Sequence, residues 1–121
     1  MSRAIVLFGH GSRDPAWRQP MEAVAARLSA LAPARAVRCA YLELDRPDLA
    51  AAVLGLVLAG ERAIRIVPMF LGAGRHVRED LPRLVEALRG AHTGIEIELR
   101  PPVGEDGPVL DLLAAISAGN P

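Results

Sequence analysis

The sequence predicts an α/β domain, a four-stranded parallel sheet flanked by helices. Three observations lead there. Strand-like and helix-like stretches alternate through the whole of a 121-residue chain, in the order βαβαβαβα. Two of the strand-like runs, RAIVLF at 3–8 and AIRIVPMF at 63–70, are almost continuously apolar, as strands covered on both faces must be. The helix-like stretches between them repeat apolar residues every three or four positions. Right-handed crossovers then favour strand order 2-1-3-4.

Each element has its own signature. Residues 3–8, 36–42, 63–70 and 94–99 are the predicted strands. In the fourth, Ile95, Ile97 and Leu99 alternate with Glu96 and Glu98, the pattern of a half-exposed edge. The first helical stripe runs Trp17, Met21, Val24, Leu28, Leu31. The second is Leu49, Val53, Leu56, Val57, with its start at Arg46-Pro47 or Asp48. Leu81, Leu84, Val85 and Leu88 form the third, for which Pro82 fits the first turn. Val109, Leu112, Leu113 and Ile116 form the fourth. Gly60 and Gly90 are read as stops after the second and third helices. No linker, repeat or low-complexity tract divides the chain, so residues 1–121 read as one domain.

Composition narrows the chemistry. Fourteen basic residues balance fourteen acidic ones, and aromatic residues make up 3% of the chain, which argues against a nucleic-acid surface. Every basic residue is Arg, so no lysine is available for a Schiff base or a phosphate-binding Walker loop. The one cysteine, Cys39, permits neither an internal disulfide nor a thiolate cluster. Neither a signal-peptide pattern nor a membrane-length apolar run is present, and a cytoplasmic protein is expected.

Function is expected where parallel strands end and strand order reverses, between strands 1 and 3. Strand 1 leaves through "FGHGSRDP" and strand 3 through "LGAGRHVRED", each with a histidine near two glycines. Strand 2 leaves through "YLELDRP", which brings Glu43 and Asp45 to the same end. His10, Glu43 and His76 are equally spaced in the sequence, one on each of three successive exits. Two imidazoles and a carboxylate suit a divalent ion such as cobalt, nickel, iron or zinc, and suit proton transfer near neutral pH. Gly9, Gly11, Gly72 and Gly74 are read as keeping the backbone bare for a large flat ligand. His92 falls at the opposite end of the sheet and reads as a surface residue. Asp14, Glu79 and Asp80 read equally well as caps or ion-pair partners and as catalytic groups. "GHGSRD" and "GAGRHV" both lack the last glycine of a dinucleotide fingerprint.

"LFGHGSRDP", "YLELDRP" and "VPMFLGAGRHVREDLP" resemble the short CbiX/SirB-type sirohydrochlorin chelatases of the class II tetrapyrrole chelatase family. The resemblance spans the chain, including its βα order. It implies insertion of Co²⁺, Fe²⁺ or Ni²⁺ into sirohydrochlorin, for cobalamin, sirohaem or a nickel tetrapyrrole. It also implies a homodimer and a soluble enzyme without organic cofactor, the metal being a substrate. By position, His10 and His76 match the metal-binding histidines, with His10 as base, and Glu43 matches the acidic residue between them. Phe70, Leu71, Gly72, Ala73, Gly74 and Arg75 match the loop against which the macrocycle lies. Arg13, Arg46, Arg75 and Arg78 are candidate anchors for its carboxylates. Two other readings use the same residues: a metal or tetrapyrrole carrier without turnover, and a histidine-dependent phosphatase. The phosphatase pattern wants Arg immediately before the histidine, where this chain has Gly9.

Overall fold

The computed structural model describes residues 3–119. Four strands, β1 (Ala4–Gly9), β2 (Val37–Tyr41), β3 (Ala63–Pro68) and β4 (Glu96–Leu99), form one sheet in the order β2-β1-β3-β4. All neighbours are parallel, with Leu7 opposite Cys39 on one side and Val67 on the other. Central β1 is buried at every position, which its unbroken apolar sequence requires. The helices are α1 (Gln19–Leu31), α2 (Leu49–Leu58), α3 (Arg75–Ala91) and α4 (Gly107–Ser117).

Strand alternation divides the core in two. Ala4, Val6, Phe8, Ile64 and Ile66 face α2 and α3, meeting Leu49, Val53, Leu56, Leu81, Val85 and Leu88. Ile5, Leu7 and Tyr41 face α1 through Met21, with Ala25 and Leu28 packed alongside. Each fully buried large aliphatic side chain contributes about 1.5–3 kcal/mol. Asp48 starts α2 as its N-cap, its carboxylate accepting from the Ala51 N–H at 2.8 Å. Among the described residues no helix is long and apolar enough to cross a membrane.

Four expectations are corrected. The first helical stripe does not run through Trp17, Val24 and Leu31, the last of which is 84% exposed. Residues Pro15–Arg18 form a tighter 3₁₀ turn capped by Asp14, so Trp17 lies out of phase with α1, whose inner face is Met21, Ala25 and Leu28. The third helix begins at Arg75, well before Pro82, which sits inside it. Val77, four residues before Leu81, already belongs to the apolar stripe and packs on the core. That helix also continues through Gly90 to Ala91, and the left-handed turn comes at Gly94 instead.

The fourth correction is the largest. Helix α4 forms where its periodicity places it, but it buries no residue, leaving Leu112 61% and Ile116 60% exposed. The sheet offers it little. On the α1 side, β3 and β4 present Arg65, Glu96 and Glu98, with Arg3 and Arg65 paired to the two glutamates. The hydrogen bond from Arg65 holds the Glu98 carboxyl below the usual carboxylate range. That half of the face is ionic, and an apolar helix gains nothing by covering it.

Candidate functional site

The β1 and β2 exits are laced together beyond the last regular strand pair. The Gly9 carbonyl accepts from the Leu42 N–H at 2.9 Å, and the His10 carbonyl accepts from the Glu43 N–H at 3.0 Å. The His10 and Glu43 side chains then meet, with Nε2 and Oε1 3.1 Å apart and both side chains about half exposed (52% and 56%). Chain spacing alone put these residues on neighbouring exits, and the fold makes them a pair.

Glu43 is held in an unusual turn. The Asp45 N–H donates back to the Glu43 carbonyl at 2.8 Å, closing a γ-turn around Leu44, whose φ is +66°. A left-handed leucine costs about 1–2 kcal/mol, and such strain tends to collect where a side chain must be aimed. Across from this turn Gly11 has φ +100°, and its Cα lies against the Glu43 carbonyl, so a Cβ there would overlap that oxygen. Gly9 answers to packing instead, since a Cβ would strike Met21. Gly72 and Gly74 have open space around them and no left-handed φ. Backbone left bare therefore describes the β3 exit, whereas the β1 glycines serve close approach of protein to protein.

The third site residue sits on a helix. His76 lies in the first turn of α3, not in a loop, and borders a small hollow of about 160 Å³ with Phe8, Leu42, Asp80 and Leu84. It has no hydrogen bond to His10 or Glu43, and among the described residues no three His, Cys, Asp or Glu side chains are arranged to hold a metal ion.

Sequence reasoning missed what fixes the β3 exit. Phe70 packs edge-on against Phe8, ring centres 6.0 Å apart, and its carbonyl accepts from the Gly104 N–H at 2.9 Å. Gly104 lies so close to the Leu71 carbonyl that a Cβ would overlap it. The 3₁₀ turn Val103–Glu105 thus pins Phe70 and Leu71, while Gly72–Gly74 run free to α3. Gly104 in "RPPVGEDGP" was the available signal. An apolar hollow of about 370 Å³ opens beside this exit, lined by Phe70, Val77, Leu81, Leu99 and Pro101 with Arg78 and Arg100.

The remaining candidates sort by partner. Arg46 borders an open depression of about 780 Å³ that also includes Glu43, Leu44 and Asp48. Arg75 is paired with Glu79 at 3.1 Å, and Asp80 with Arg83 at 3.7 Å. Arg13 and Arg78 are exposed. His92 caps α3 at the opposite end of the sheet, beside Gly60 and Thr93.

Tyr41, the last residue of β2, links this end of the sheet to pH. Burial pushes its phenol from an ordinary 10.0 up to about 12, and burial likewise raises the Cys39 thiol. A raised pKa means that the folded state resists losing the proton. The corresponding stability is complete below about pH 10 and is lost as pH rises toward about 12. Tyr41→Phe is expected to remove that upper part of the alkaline loss while leaving stability at pH 7 nearly unchanged. Urea midpoints measured from pH 7 to the alkaline limit test this, and an unchanged alkaline loss in the variant would refute it.

The CbiX family model matches residues 4–118. A sirohydrochlorin cobaltochelatase from Methanopyrus kandleri is 35% identical over 82 residues, covering 68% of this chain and 57% of that protein. One from Methanococcus aeolicus is 27% identical over 141 residues, 97% of this chain and 99% of its own length. Among solved structures, a CbiX protein from Marinobacter aquaeolei superposes with a TM-score of 0.82 at 33% identity, covering 98% of this chain and 95% of the other. The cobalt complex of the sirohydrochlorin chelatase SirB from Bacillus subtilis gives a TM-score of 0.81 at 26% identity. There the match covers 98% of this chain and 51% of SirB, so the chain spans about half of that protein.

Proposed function

The chain belongs to the CbiX family, and from that premise we propose that it is an enzyme inserting a divalent metal ion into sirohydrochlorin, on the way to cobalamin or sirohaem. The observation that carries the reading is the His10–Glu43 pair, 3.1 Å apart at the exits of adjacent strands. Cobalt is named for the curated relatives and for one SirB structure, and iron for another. Iron and nickel fit the same ligand types.

Metallation exchanges two pyrrole N–H protons for one M²⁺, so the site must hold a cation, release it and accept protons. In one tautomer His10 donates its Nε2 proton to the Glu43 carboxylate, leaving Nδ1 with a lone pair. That lone pair ligates the incoming ion. Once the ion passes to the ring nitrogens, it can accept a proton instead. Glu43 balances the positive charge of the imidazolium that then develops and relays the second pyrrole proton to solvent. His76, exposed on the first turn of α3, is the second ligand in this reading. A cargo ion needs few and weak protein ligands, because a closed set of three or four would retain it. The bare Gly72–Gly74 stretch takes the face of the macrocycle, and Arg13, Arg46 and Arg78 take its carboxylates.

Anaerobic assays with sirohydrochlorin and each of Co²⁺, Fe²⁺ and Ni²⁺, followed by the optical bands of the macrocycle, test the activity. Catalytic turnover with at least one metal is expected. Stoichiometric binding without turnover would replace the enzyme with a carrier.

The partner in this reading is a second copy of the chain. Helix α4 leaves Leu110, Leu112, Leu113 and Ile116 uncovered, an apolar surface that supports self-association. Leu112→Asp with Ile116→Asp is expected to shift a dimer to monomer in size-exclusion chromatography with light scattering. A wild-type protein that runs as a monomer at micromolar concentration would overturn it.

A further inference from the structure

The Asp45 carboxylate bonds to neither the His10 nor the Glu43 side chain, yet it is the most sheltered carboxylate near them, its side chain only 9% exposed. One oxygen, Oδ2, accepts from the Ser12 N–H at 2.9 Å. The other, Oδ1, accepts from Arg18 Nη1 at 3.0 Å. Ser12 lies two residues beyond His10, and Asp45 two beyond Glu43. The contact therefore ties the β1 exit to the β2 exit just outside the reacting pair, while the main-chain bond from Glu43 to His10 ties them just inside it. Arg18 anchors the far side from the 3₁₀ turn, and its other neighbour, Glu22, is 3.9 Å away.

We infer that Asp45 is a positioning residue for metal insertion: bridging the Ser12 N–H and Arg18, it locks together the two loops that carry His10 and Glu43. The need for such a lock follows from exposure. Both reacting side chains are half in solvent and packed against little, so their rotamers alone do not keep them together. Their separation is set by the backbone beneath them. Leu44 in its left-handed γ-turn stores strain that would relax if the loop came loose. A charge-assisted bridge to a backbone N–H and a guanidinium is strong enough to oppose this. Misplacement of a reacting group by about 1 Å can cost up to about a hundredfold in rate.

The inference rests on the proposed roles of His10 and Glu43, and a double-mutant cycle separates the two claims. Asp45→Ala is expected to lower kcat for insertion about tenfold, with KM for sirohydrochlorin within about twofold of wild type. In a Glu43→Gln background, itself impaired, adding Asp45→Ala should leave kcat nearly unchanged, because the group it positions is already disabled. Asp45→Asn, which keeps an acceptor for Ser12 but loses the charge facing Arg18, should fall between wild type and Asp45→Ala. If Asp45→Ala does not fold, Asp45→Asn and Arg18→Met carry the same cycle. An equal loss of kcat with and without Glu43→Gln would make Asp45 merely structural and overturn the inference, as would a wild-type kcat in Asp45→Ala. A fully active Glu43→Gln variant would instead remove the role of the pair, and the positioning role would fall with it.

Discussion

His10→Ala is expected to reduce metal insertion by about a thousandfold, within the range for removal of a general acid–base group, while the melting temperature stays within about 2 °C of wild type. The two halves of this expectation have separate causes. Activity falls because the imidazole performs two tasks in the proposed exchange, ligating the ion and then accepting a proton, and alanine performs neither. Stability holds because the ring is half exposed and its one side-chain partner is Glu43, itself open to solvent. Pairs between exposed groups contribute about 0–1 kcal/mol. Initial rates at fixed Co²⁺ and sirohydrochlorin, corrected for uncatalysed insertion, measure the first half, and thermal denaturation the second. A rate within about threefold of wild type would remove His10 from the mechanism. A melting temperature lowered by about 10 °C would make the histidine structural.

The parts legible in the sequence were those in which side-chain pattern and backbone state imply one another. RAIVLF at 3–8 admits no solvent-facing side, so it had to be central, and β1 is buried throughout. Order 2-1-3-4 followed from handed crossovers, and it brought the exits bearing His10 and Glu43 side by side. What was not legible depends on contacts between distant residues. The stripe Val109, Leu112, Leu113, Ile116 specifies an amphipathic helix but not what covers it, and the ionic face of β3 and β4 left α4 uncovered. The 3₁₀ turn at Pro15–Arg18 altered the phase of the first stripe, and no periodicity count detects that. At the site, glycine next to histidine suggested space for a ligand. The structure divides that signal: Gly72 and Gly74 are open, whereas Gly11 lies against protein backbone. The left-handed Leu44 left no trace in composition, since leucine ordinarily avoids that conformation.

That division at the glycines yields the second large effect. Gly11→Ala is expected to destabilise the fold by about 2–5 kcal/mol, combining roughly 1–2 kcal/mol for a left-handed alanine with about 1–3 kcal/mol for crowding. The melting temperature should fall by about 10–20 °C. The crowding cannot be relieved by a rotamer change, because the group in the way is the Glu43 carbonyl, part of the backbone. That carbonyl also accepts the bond closing the γ-turn, and the Glu43 N–H is bonded to His10. Any movement that makes room for a methyl group at residue 11 therefore pulls Glu43 away from His10, and the folded fraction should lose insertion activity as well. Gly72→Ala is the control, since nothing lies within 4 Å of a Cβ there and its φ is not left-handed. It should melt within about 2 °C of wild type, replacing glycine at a compatible position having only a small effect. If Gly11→Ala melts with its control, the close approach of the two exits is not a constraint on this fold. The rigid placement of Glu43 would then need another source.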